Sequence, residues 1–272
     1  MKLRNSIKSI AIGSFDGIHQ GHRALISQVE AVLVIERNGG YLTPGYKRTF
    51  CFEQPCFFYH FDRIKDLRAK EFVAKLKEDF PLLEEIVVGY DFGFGYKKEG
   101  NSTLLKGLFD GEVKIVEEVK SSDISVHSQT IKGYISKGRI EFVRELLDRA
   151  YMISGVVILG QGLGKKELVP TLNLKVYDYD LPKDGVYATR TKIRDIWLES
   201  VTFLGHRIST DGHFAVETYI IEKDIGIVKG RVWIEFIGFI RDNRKFDGLS
   251  ALKEQIALDI KETEIRLKQE IK

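Results

Sequence analysis

The sequence predicts two domains, an α/β domain with a mostly parallel sheet followed by a small antiparallel β-barrel that ends in a long helix. Near the N-terminus, a short apolar strand, a glycine turn and an amphipathic segment follow one another, which is how many α/β domains begin. After Tyr151, six short apolar runs are separated by Gly, Asp or Pro, a spacing typical of small barrels. The C-terminal segment carries an apolar stripe at helical spacing.

The first domain, residues 1–150, is predicted from alternating strand and helix patterns. A continuous apolar run bounded by glycine indicates a buried strand, and apolar residues three and four apart indicate an amphipathic helix. In chain order these elements are strand 9–12, helix 21–34, helix 72–80, strand 85–88 and helix 140–147.

The second domain, residues 151–272, is predicted from six β-branched or aromatic runs. These runs are 153–159, 172–177, 185–192, 197–204, 214–221 and 231–240. The final segment is predicted to be one amphipathic helix, because its apolar residues recur at helical spacing. That stripe consists of Leu249, Leu252, Ile256, Ile260, Leu267 and Ile271.

The composition excludes several classes of protein. The 272 residues include 42 Lys and Arg against 39 Asp and Glu, a net charge of +3, and 43% are apolar. The chain can therefore bury a core, and its basic residues alternate with acidic ones, so we expect small anionic ligands and no nucleic acid. The presence of only two cysteines, Cys51 and Cys56, argues against a disulfide framework and against a four-ligand zinc site, and we expect buried structural thiols.

The N-terminal region predicts a cytoplasmic protein that does not enter a membrane. Its apolar run, residues 10–12, is too short for a signal peptide, and no stretch of the chain approaches the length of a membrane span. The sequence leaves the oligomeric state open.

The first candidate site lies in the ten residues from Gly13 to His22, between the first strand and the first helix. The glycines permit a tight turn, and the amide groups at a helix start favour a phosphate. His19 and His22 are three residues apart, so both imidazoles can face the same side and hydrogen-bond phosphate oxygens. The alternative is that both are ordinary surface histidines.

These ten residues resemble a known signature. The pattern Gly-x-Phe-Asp-Gly-x-His-x-Gly-His is similar to the adenylyltransferase motif of the bacterial bifunctional riboflavin kinase/FMN adenylyltransferase family, whose members make FMN and then FAD. The resemblance implies a Rossmann-like nucleotidyltransferase fold for the first domain, with His19 and His22 as catalytic residues. It further implies ATP-binding roles for Gly13, Phe15, Asp16, Gly17 and Gly21.

A second glycine-rich segment, residues 88–95, follows the predicted strand 85–88. It is similar to the family segment Gly-x-Asp-Phe-x-Phe-Gly, which implies that Asp91, Phe92 and Phe94 bind the flavin. A loop rich in Gly and Phe can also bring backbone and aromatic rings close to a flat ligand. The alternative is a tight turn with two buried aromatic residues.

The segment from His127 to Lys132 is similar in part to the family run Ser-Ser-Thr-x-Ile-Arg. That resemblance implies that Ser128 and Lys132 bind ATP phosphates. Two positions depart from the family, because His127 replaces the first Ser and Gln129 replaces the Thr. The segment 52–56 also departs from the family run Phe-x-Pro-His-Pro.

The second candidate site begins with a glycine- and lysine-rich loop, residues 160–166. This loop does not match a Walker A motif, but its amides and lysines suit a phosphate tail. The predicted ATP-binding residues are Gly160, Gly162, Gly164 and Lys165.

Thr171 and Asn173 follow in the next predicted strand. Since alternate residues of a strand face the same side, their hydroxyl and amide oxygens lie together and suit a Mg²⁺ ion that bridges ATP. The run Pro170 to Asn173 is similar to the riboflavin kinase signature Pro-Thr-Ala-Asn, with Leu172 in place of Ala.

Glu217 lies on a strand face with Ala215, Tyr219 and Ile221, an apolar setting in which a carboxylate is costly unless it has a partner or a function. Resemblance to the kinase strand Val-Glu-Thr/Ser implies that Glu217 is the base that takes the proton of the riboflavin 5′-hydroxyl. The alternative is a salt bridge at the barrel rim.

Arg241 lies in a segment similar to the family run Arg-x-x-x-Lys-Phe, which implies contact with the flavin or the nucleotide. A solvated charge run is the alternative there. Val228-Lys229-Gly230 stands where the family has Leu-Tyr-Gly.

The sequence therefore predicts an enzyme that uses ATP and Mg²⁺ to phosphorylate riboflavin in the second domain and to adenylylate FMN to FAD in the first, with release of pyrophosphate. Two alternatives remain. One is a riboflavin kinase alone, with a weakened adenylyltransferase site, and the other is a non-catalytic regulatory protein that binds flavin or nucleotide.

Overall fold

The computed structural model describes residues 6–37, 39, 41–159, 169–207 and 212–270. Four residues expected to bind ATP, Gly160, Gly162, Gly164 and Lys165, lie outside this range. The chain divides into two compact units between Ser128 and Gln129. The sequence places the domain boundary near residue 150, so the two divisions differ in where they assign residues 129–150, and the boundary stays a prediction.

The first unit is an α/β fold. Its strands are β1 (Ser9–Gly13), β2 (Ala31–Glu36), β3 (Cys56–His60), β4 (Glu85–Gly89), β5 (Gly93–Phe94), β6 (Gly100–Asn101), β7 (Glu112–Val116), β8 (Lys120–Ser121) and β9 (Ile124–Ser125). Its helices are α1 (Gln20–Ile26), α2 (Phe61–Ile64), α3 (Ala69–Asp79) and α4 (Ser102–Leu108).

Five of these strands form one parallel sheet in the order β3-β2-β1-β4-β7. Continuous apolar runs form its three central strands, which is typical of parallel strands buried on both faces. The predicted strands 9–12 and 85–88 and the helix 72–80 are confirmed as β1, β4 and α3.

The predicted helix 21–34 is wrong in its second half, because α1 ends at Ile26 and the run from Ala31 forms strand β2. This strand pairs with β1 on one side and β3 on the other, and Ala31 to Val34 are fully buried. A run in which every residue is apolar suits a central strand, which is buried on both faces, better than an amphipathic helix, which is buried on one face.

The order of the sheet also fixes where a ligand can bind. Parallel strands bring their carboxyl ends to the same edge, and β1 and β4 are neighbours at the point where the strand order reverses. In open α/β sheets, this reversal opens a crevice in which ligands bind. Gly13 and Gly89, which end these two strands, therefore start two neighbouring loops at that crevice.

The second unit is a closed barrel with helices. Its strands are β10 (Tyr151–Ile158), β11 (Thr171–Val176), β12 (Gly185–Ile193), β13 (Ile196–His206), β14 (Phe214–Ile220) and β15 (Arg231–Arg241), in the order β10-β11-β14-β13-β12-β15. The helices that follow α4 are α5 (Ser128–Ile135), α6 (Ile140–Leu147) and α7 (Leu249–Glu270). The six predicted strands, the helix 140–147 and the C-terminal helix are confirmed.

The buried side of α7 differs from the predicted stripe. Leu249 is 49% exposed, whereas Asp259, Thr263 and Leu267 are buried. Leu267 packs in a cluster with Ala188 of β12. The helix therefore turns a partly polar side to the barrel, where Thr263 bonds the carbonyl of Asp259 and Asp259 pairs with Arg241.

Five hydroxyl groups form a closed ring inside the barrel, on the side of β12 opposite Ala188. The ring runs through Thr189, Ser200, Thr191, Thr218 and Thr202, and each side chain is fully buried. Its five links measure 2.8, 2.8, 3.1, 3.0 and 2.8 Å. Thr189 also lies within donating distance, 2.9 Å, of the Ser200 carbonyl oxygen, so every hydroxyl has at least two polar neighbours to donate to or accept from.

Breaking this ring is expected to destabilise the barrel. Thr202→Val removes one hydroxyl and leaves Thr189 and Thr218 each one partner short, at a cost of about 1–3 kcal/mol in the free energy of unfolding. Trp197 and Trp233 lie in barrel strands, so tryptophan fluorescence during urea unfolding measures this change. Thr103→Val, at an exposed helix position, is the control; equal midpoints for both variants would show that the ring adds no stability.

Candidate active sites of the two units

The turn after β1 has an unusual backbone. Phe15 and Ile18 have φ angles of 48° and 46°, and Gly17 has 89°. A left-handed conformation is costly for a β-branched residue such as Ile18, and such strain concentrates at functional sites. Both Phe15 and Ile18 are fully buried, so packing holds the strained turn in place.

The two histidines of this turn lie together. Their rings stack with centroids 3.6 Å apart, and Nδ1 of His19 accepts the backbone N–H of His22 at 3.3 Å. Because His19 accepts at Nδ1, its proton in the neutral form is on Nε2. Nδ1 of His22 is buried and has no hydrogen-bond partner among the described residues, so it offers a polar atom to a ligand.

Burial keeps both imidazoles neutral. Desolvation, with a smaller contribution from the charge of His127, lowers the pKa of His19 to about 3. Desolvation also holds the pKa of His22 well below its usual value, helped by His19, Arg48 and His127. At neutral pH the site therefore presents two uncharged hydrogen-bonding rings.

Acidification is expected to destabilise the first unit for this reason. The unfolded chain protonates these histidines below about pH 6.5, whereas the folded chain does not, so the free energy of unfolding falls by about 1.4 kcal/mol per pH unit for each buried ring. Hydrogen exchange of the β1 amides at pH 7.5 and pH 5.0 measures the loss. His19→Asn should reduce it, and an unchanged slope in that variant would contradict the assignment.

Ser128, the last residue of the first unit, bonds the backbone of the turn at Asp16. The hydroxyl of Ser128 donates to the backbone carbonyl of Asp16 at 2.8 Å, and the Asp16 carboxylate accepts the backbone N–H of Thr43 at 3.0 Å. Gly21 lies beside this contact, because a Cβ there would be 3.5 Å from the Val126 carbonyl. The structure thus brings together the predicted residues of the turn and Ser128.

Lys132, also predicted to bind ATP, is found in an ion pair. Its ammonium group lies 2.8 Å from the Asp180 carboxylate, within the second unit. Its role toward ATP stays a prediction.

Arg48, which belongs to none of the sequence motifs, is fully buried behind the turn. Its guanidinium donates to the carbonyl of Phe15 at 3.2 Å and to Glu36 at 2.9 Å, and it lies over the Tyr41 ring. Its Nη2 atom has no partner among the described residues. A buried arginine bonded to the strained Phe15 backbone holds the turn in shape, and only the tertiary fold reveals this contact.

The loop after β4 separates its three predicted flavin residues. Asp91 is exposed, Phe92 is half-buried, and Phe94 is 4% exposed. The Phe94 ring stacks on Phe92 at 5.6 Å and contacts Phe72 of α3 at 5.4 Å. Phe94 thus packs in the core beneath the loop, as the alternative reading of the sequence described.

A polar cluster lies at the same edge of the sheet. The hydroxyl of Tyr90, just after β4, lies 3.1 Å from Nε2 of His127 and 3.3 Å from the carboxylate of Glu118, which follows β7. Nε2 of His127 also lies 3.3 Å from Glu118. In the sequence, His127 stands out only as a departure from the family run, and no motif points to its partners Tyr90 and Glu118.

In the barrel, strand pairing brings the predicted kinase residues together. Asn173 of β11 lies opposite Glu217 of β14, and Thr171 lies opposite Tyr219. Opposite residues in adjacent strands face the same side, so the hydroxyl, amide and carboxylate oxygens of Thr171, Asn173 and Glu217 share one face. The hydroxyl of Thr171 and the amide oxygen of Asn173 are hard donors of the kind that Mg²⁺ prefers, and the Glu217 carboxylate lies beside them on the same face.

Glu217 makes the ion pair that the sequence left as an alternative. Nη1 of Arg207 lies 3.2 Å from Oε1 of Glu217, and each side chain is about one-fifth exposed. This contact fixes the carboxylate beside Asn173, and a partly exposed pair of this kind contributes little to stability.

The Arg241 side chain is mostly buried and makes an ion pair, so the alternative of a solvated charge run does not describe it. It makes a bidentate bond with the buried Asp259 of α7, at 2.8 and 2.7 Å, and lies over the Phe246 ring. It borders an open depression of about 400 Å³ between β15 and α7. The pair attaches the terminal helix to the barrel, and contact with a flavin stays a prediction.

The two cysteines are half-buried and free, and both pack against the core around β1 and β2. Burial raises the pKa of the Cys56 thiol to about 12, so it is an unreactive thiol at neutral pH.

Known proteins match the chain along nearly its whole length. A model of the FAD synthetase family matches residues 2–37 and 52–130, and a model of the riboflavin kinase family matches residues 147–267. The bifunctional riboflavin kinase/FMN adenylyltransferase of Listeria monocytogenes is 29% identical, over 94% of this chain and 91% of that protein. The chain belongs to the bifunctional riboflavin kinase/FMN adenylyltransferase family.

Further relatives agree with this family. The protein of the same name from Buchnera aphidicola, of the strain from Acyrthosiphon pisum, is 27% identical over 94% of this chain and 92% of that protein. A crystal structure from Streptococcus pneumoniae, titled a macrolide-efflux protein, matches 97% of each chain with a TM-score of 0.83 and 25% identity. That structure shares the fold of this family member.

Among the described residues, no helix is both long and apolar enough to cross a membrane. In the same part of the chain, no three His, Cys, Asp or Glu side chains lie close enough together to hold a metal ion.

Proposed function

We propose that this protein makes FAD in two steps, from riboflavin to FMN in the barrel unit and from FMN to FAD in the α/β unit, with ATP as co-substrate in both. The observation that carries the proposal is that each unit gathers its own set of polar groups. The first combines a strained turn with two neutral histidines, and the second places Glu217 beside Asn173.

In the α/β unit, an FMN phosphate oxygen attacks the α-phosphorus of ATP, and the bond to the β-phosphate breaks with release of pyrophosphate. We assign to His19 and His22 hydrogen bonds to phosphate oxygens as charge builds up on them. Burial keeps both rings neutral, so each ring carries one N–H group that can donate to a phosphate oxygen. The backbone of the turn, with Gly13, Gly17 and Gly21, allows the close approach of the nucleotide.

The other residues proposed for this unit surround the turn. Asp16 and Ser128 hold its shape through their hydrogen bonds, and the buried Phe15 supports His22 by an edge contact at 5.2 Å. The loop residues Asp91 and Phe92 are the exposed and half-exposed groups available to a flavin.

In the barrel unit, the oxygen of the riboflavin 5′-hydroxyl attacks the γ-phosphorus of ATP, and ADP leaves. Glu217 takes the hydroxyl proton, and Arg207 holds its carboxylate in position. Thr171 and Asn173 would hold Mg²⁺, which supplies charge neutralisation at the phosphates when bound. The loop 160–165 would bind the phosphate tail.

One reaction tests the proposal. The purified protein is mixed with riboflavin, ATP and Mg²⁺, and the flavins are separated by chromatography. FAD is the expected product. FMN alone would restrict the protein to the kinase step, and unchanged riboflavin would make it a binding protein. Omission of Mg²⁺ should stop FMN formation. We expect the reaction partners to be these small molecules, without nucleic acid, and a cytoplasmic location; both stay predictions.

A further inference from the structure

Arg207 reaches the carboxylate of Glu217 from the far end of the hairpin formed by β13 and β14. Its backbone N–H donates to the carbonyl of His213 at 3.0 Å, whereas Glu217 lies within β14. Between these two positions, Gly205 of β13 lies opposite Ala215 of β14. Since alternate residues of a strand share a face, these two small residues leave room for the long Arg207 side chain to lie along the hairpin.

This contact places a positive charge beside the proposed base. Nη1 of Arg207 lies 3.2 Å from Oε1 of Glu217, and each side chain is about one-fifth exposed. A guanidinium carries five N–H donors in a planar fork, so one arginine can bond a carboxylate and a phosphate at the same time. A partly desolvated charge also acts more strongly on a phosphate than a charge in bulk water does.

The kinase reaction brings the γ-phosphoryl group of ATP to the same place. Glu217 can take the proton of the riboflavin 5′-hydroxyl only from an oxygen about 3 Å away, and that oxygen attacks the γ-phosphorus from a similar distance. The phosphoryl oxygens then lie within reach of the Arg207 guanidinium. Thr171 and Asn173, which would hold Mg²⁺, lie on this face of the barrel as well.

We infer that Arg207 is a catalytic residue of the kinase site, where its guanidinium bridges Glu217 and the γ-phosphoryl group. This inference rests on the proposed riboflavin phosphorylation. In that step the 5′-oxygen bonds to the γ-phosphorus and its proton passes to Glu217. The bond from the γ-phosphorus to the bridging oxygen breaks, and its electron pair stays on ADP. The negative charge that Glu217 loses thus appears on the phosphates, and Arg207 lies where it can neutralise either.

The kinetics of riboflavin phosphorylation give the first test. Arg207→Gln keeps a polar side chain but removes the charge, so kcat should fall by about 10²–10³-fold, as for loss of one transition-state donor. The inhibition constant of ADP, which lacks the γ-phosphate, should stay at the wild-type value. Arg207→Lys restores the charge without the planar fork and should recover part of kcat. Conversion of FMN to FAD by the same variants is the internal control.

Arg190→Gln is the matched control variant. Arg190 also pairs with a glutamate, Glu235 at 3.9 Å, and the two side chains are about one-quarter exposed. It lies on β12, whose neighbours in the barrel are β13 and β15, so its loss should leave kcat unchanged. Equal kcat values for Arg207→Gln and Arg190→Gln would overturn the inference.

A double-mutant cycle separates contact with the phosphoryl group from a function that only holds Glu217 in position. In a Glu217→Gln background the proposed base is already absent. If Arg207 bonds the phosphate directly, Arg207→Gln should lower the remaining kcat by about tenfold or more in this background. No further loss would show that Arg207 acts only through Glu217, which contradicts the phosphate contact.

Binding to the full chain tests the same contact without turnover. Calorimetry in the presence of Mg²⁺ compares ADP with the non-hydrolysable β,γ-imido analogue of ATP. Arg207→Gln should weaken binding of the analogue by about tenfold and leave ADP binding unchanged. The sequence of the α/β unit is the same in both proteins, so a difference between them reports on the barrel.

The outcomes for the two proposals are distinct. If the wild type forms FMN and Arg207→Gln forms it equally fast, the proposed function stands and the inference fails. If the wild type forms no FMN, the proposed phosphorylation fails, and the calorimetric titration then decides the inference. Equal affinities of the wild type and Arg207→Gln for the analogue would overturn it.

Discussion

Glu217→Gln is expected to lower FMN formation by roughly 10²–10⁴-fold, the usual contribution of a general base. The amide keeps the shape of the side chain but cannot take the hydroxyl proton. Conversion of FMN to FAD should remain at the wild-type rate, because that step belongs to the other unit. Two assays measured side by side, one with riboflavin and one with FMN, give this comparison.

The matched control is Glu199→Gln, which changes an exposed carboxylate on β13 of the same barrel. It should leave both rates unchanged. A normal rate of FMN formation in Glu217→Gln would show that Glu217 serves only as the ion-pair partner of Arg207. That is the salt-bridge alternative stated from the sequence. Loss of both activities in a folded variant would contradict the assignment of two separate sites.

His19→Asn is expected to have the opposite effect, with FAD formation from FMN reduced by about 10²–10³-fold and riboflavin phosphorylation unchanged. Asparagine is chosen because His19 caps helix α1 by accepting the His22 N–H, and asparagine is a favourable capping residue. The variant therefore removes the imidazole and its stacking contact while it keeps the cap. Initial rates with FMN and ATP at saturating concentrations measure the loss.

His60→Asn serves as the control, because it removes an exposed imidazole from the same unit. Circular dichroism of both variants shows whether the fold is kept. If His19→Asn forms FAD as fast as His60→Asn, the stacked pair does not participate in adenylyl transfer.

Much of the fold could be predicted from local patterns, and the barrel most completely. Its six strands are bounded by turn residues, so each run had a clear start and end. In the first unit, the sequence pattern predicts a helix where β2 lies, because the run Ala31–Glu36 continues the apolar spacing of α1. Strands β3 and β7 were missed, since short mixed runs give no period of their own.

The site residues could be predicted from the sequence where they lie together in one short segment of the chain. The turn from Gly13 to His22 and the pair Thr171 and Asn173 each lie within one short segment, and strand alternation placed Glu217 correctly beside Ala215 and Tyr219. Contacts between distant segments could not be predicted. Arg48 reaches Phe15, and Tyr90 reaches His127, only because the sheet order brings their loops to one edge.

The topology of the barrel also sets the order in which the chain can fold during synthesis. Its first strand, β10, pairs with its last, β15, with Tyr151 opposite Phe236. The barrel therefore cannot close until residues beyond Phe236 have left the ribosome, and closure of so long a loop is slow. The parallel sheet is complete once Val116 has emerged. The unit that uses FMN can thus fold before the unit that makes it, and the growing barrel is the part that needs protection from aggregation.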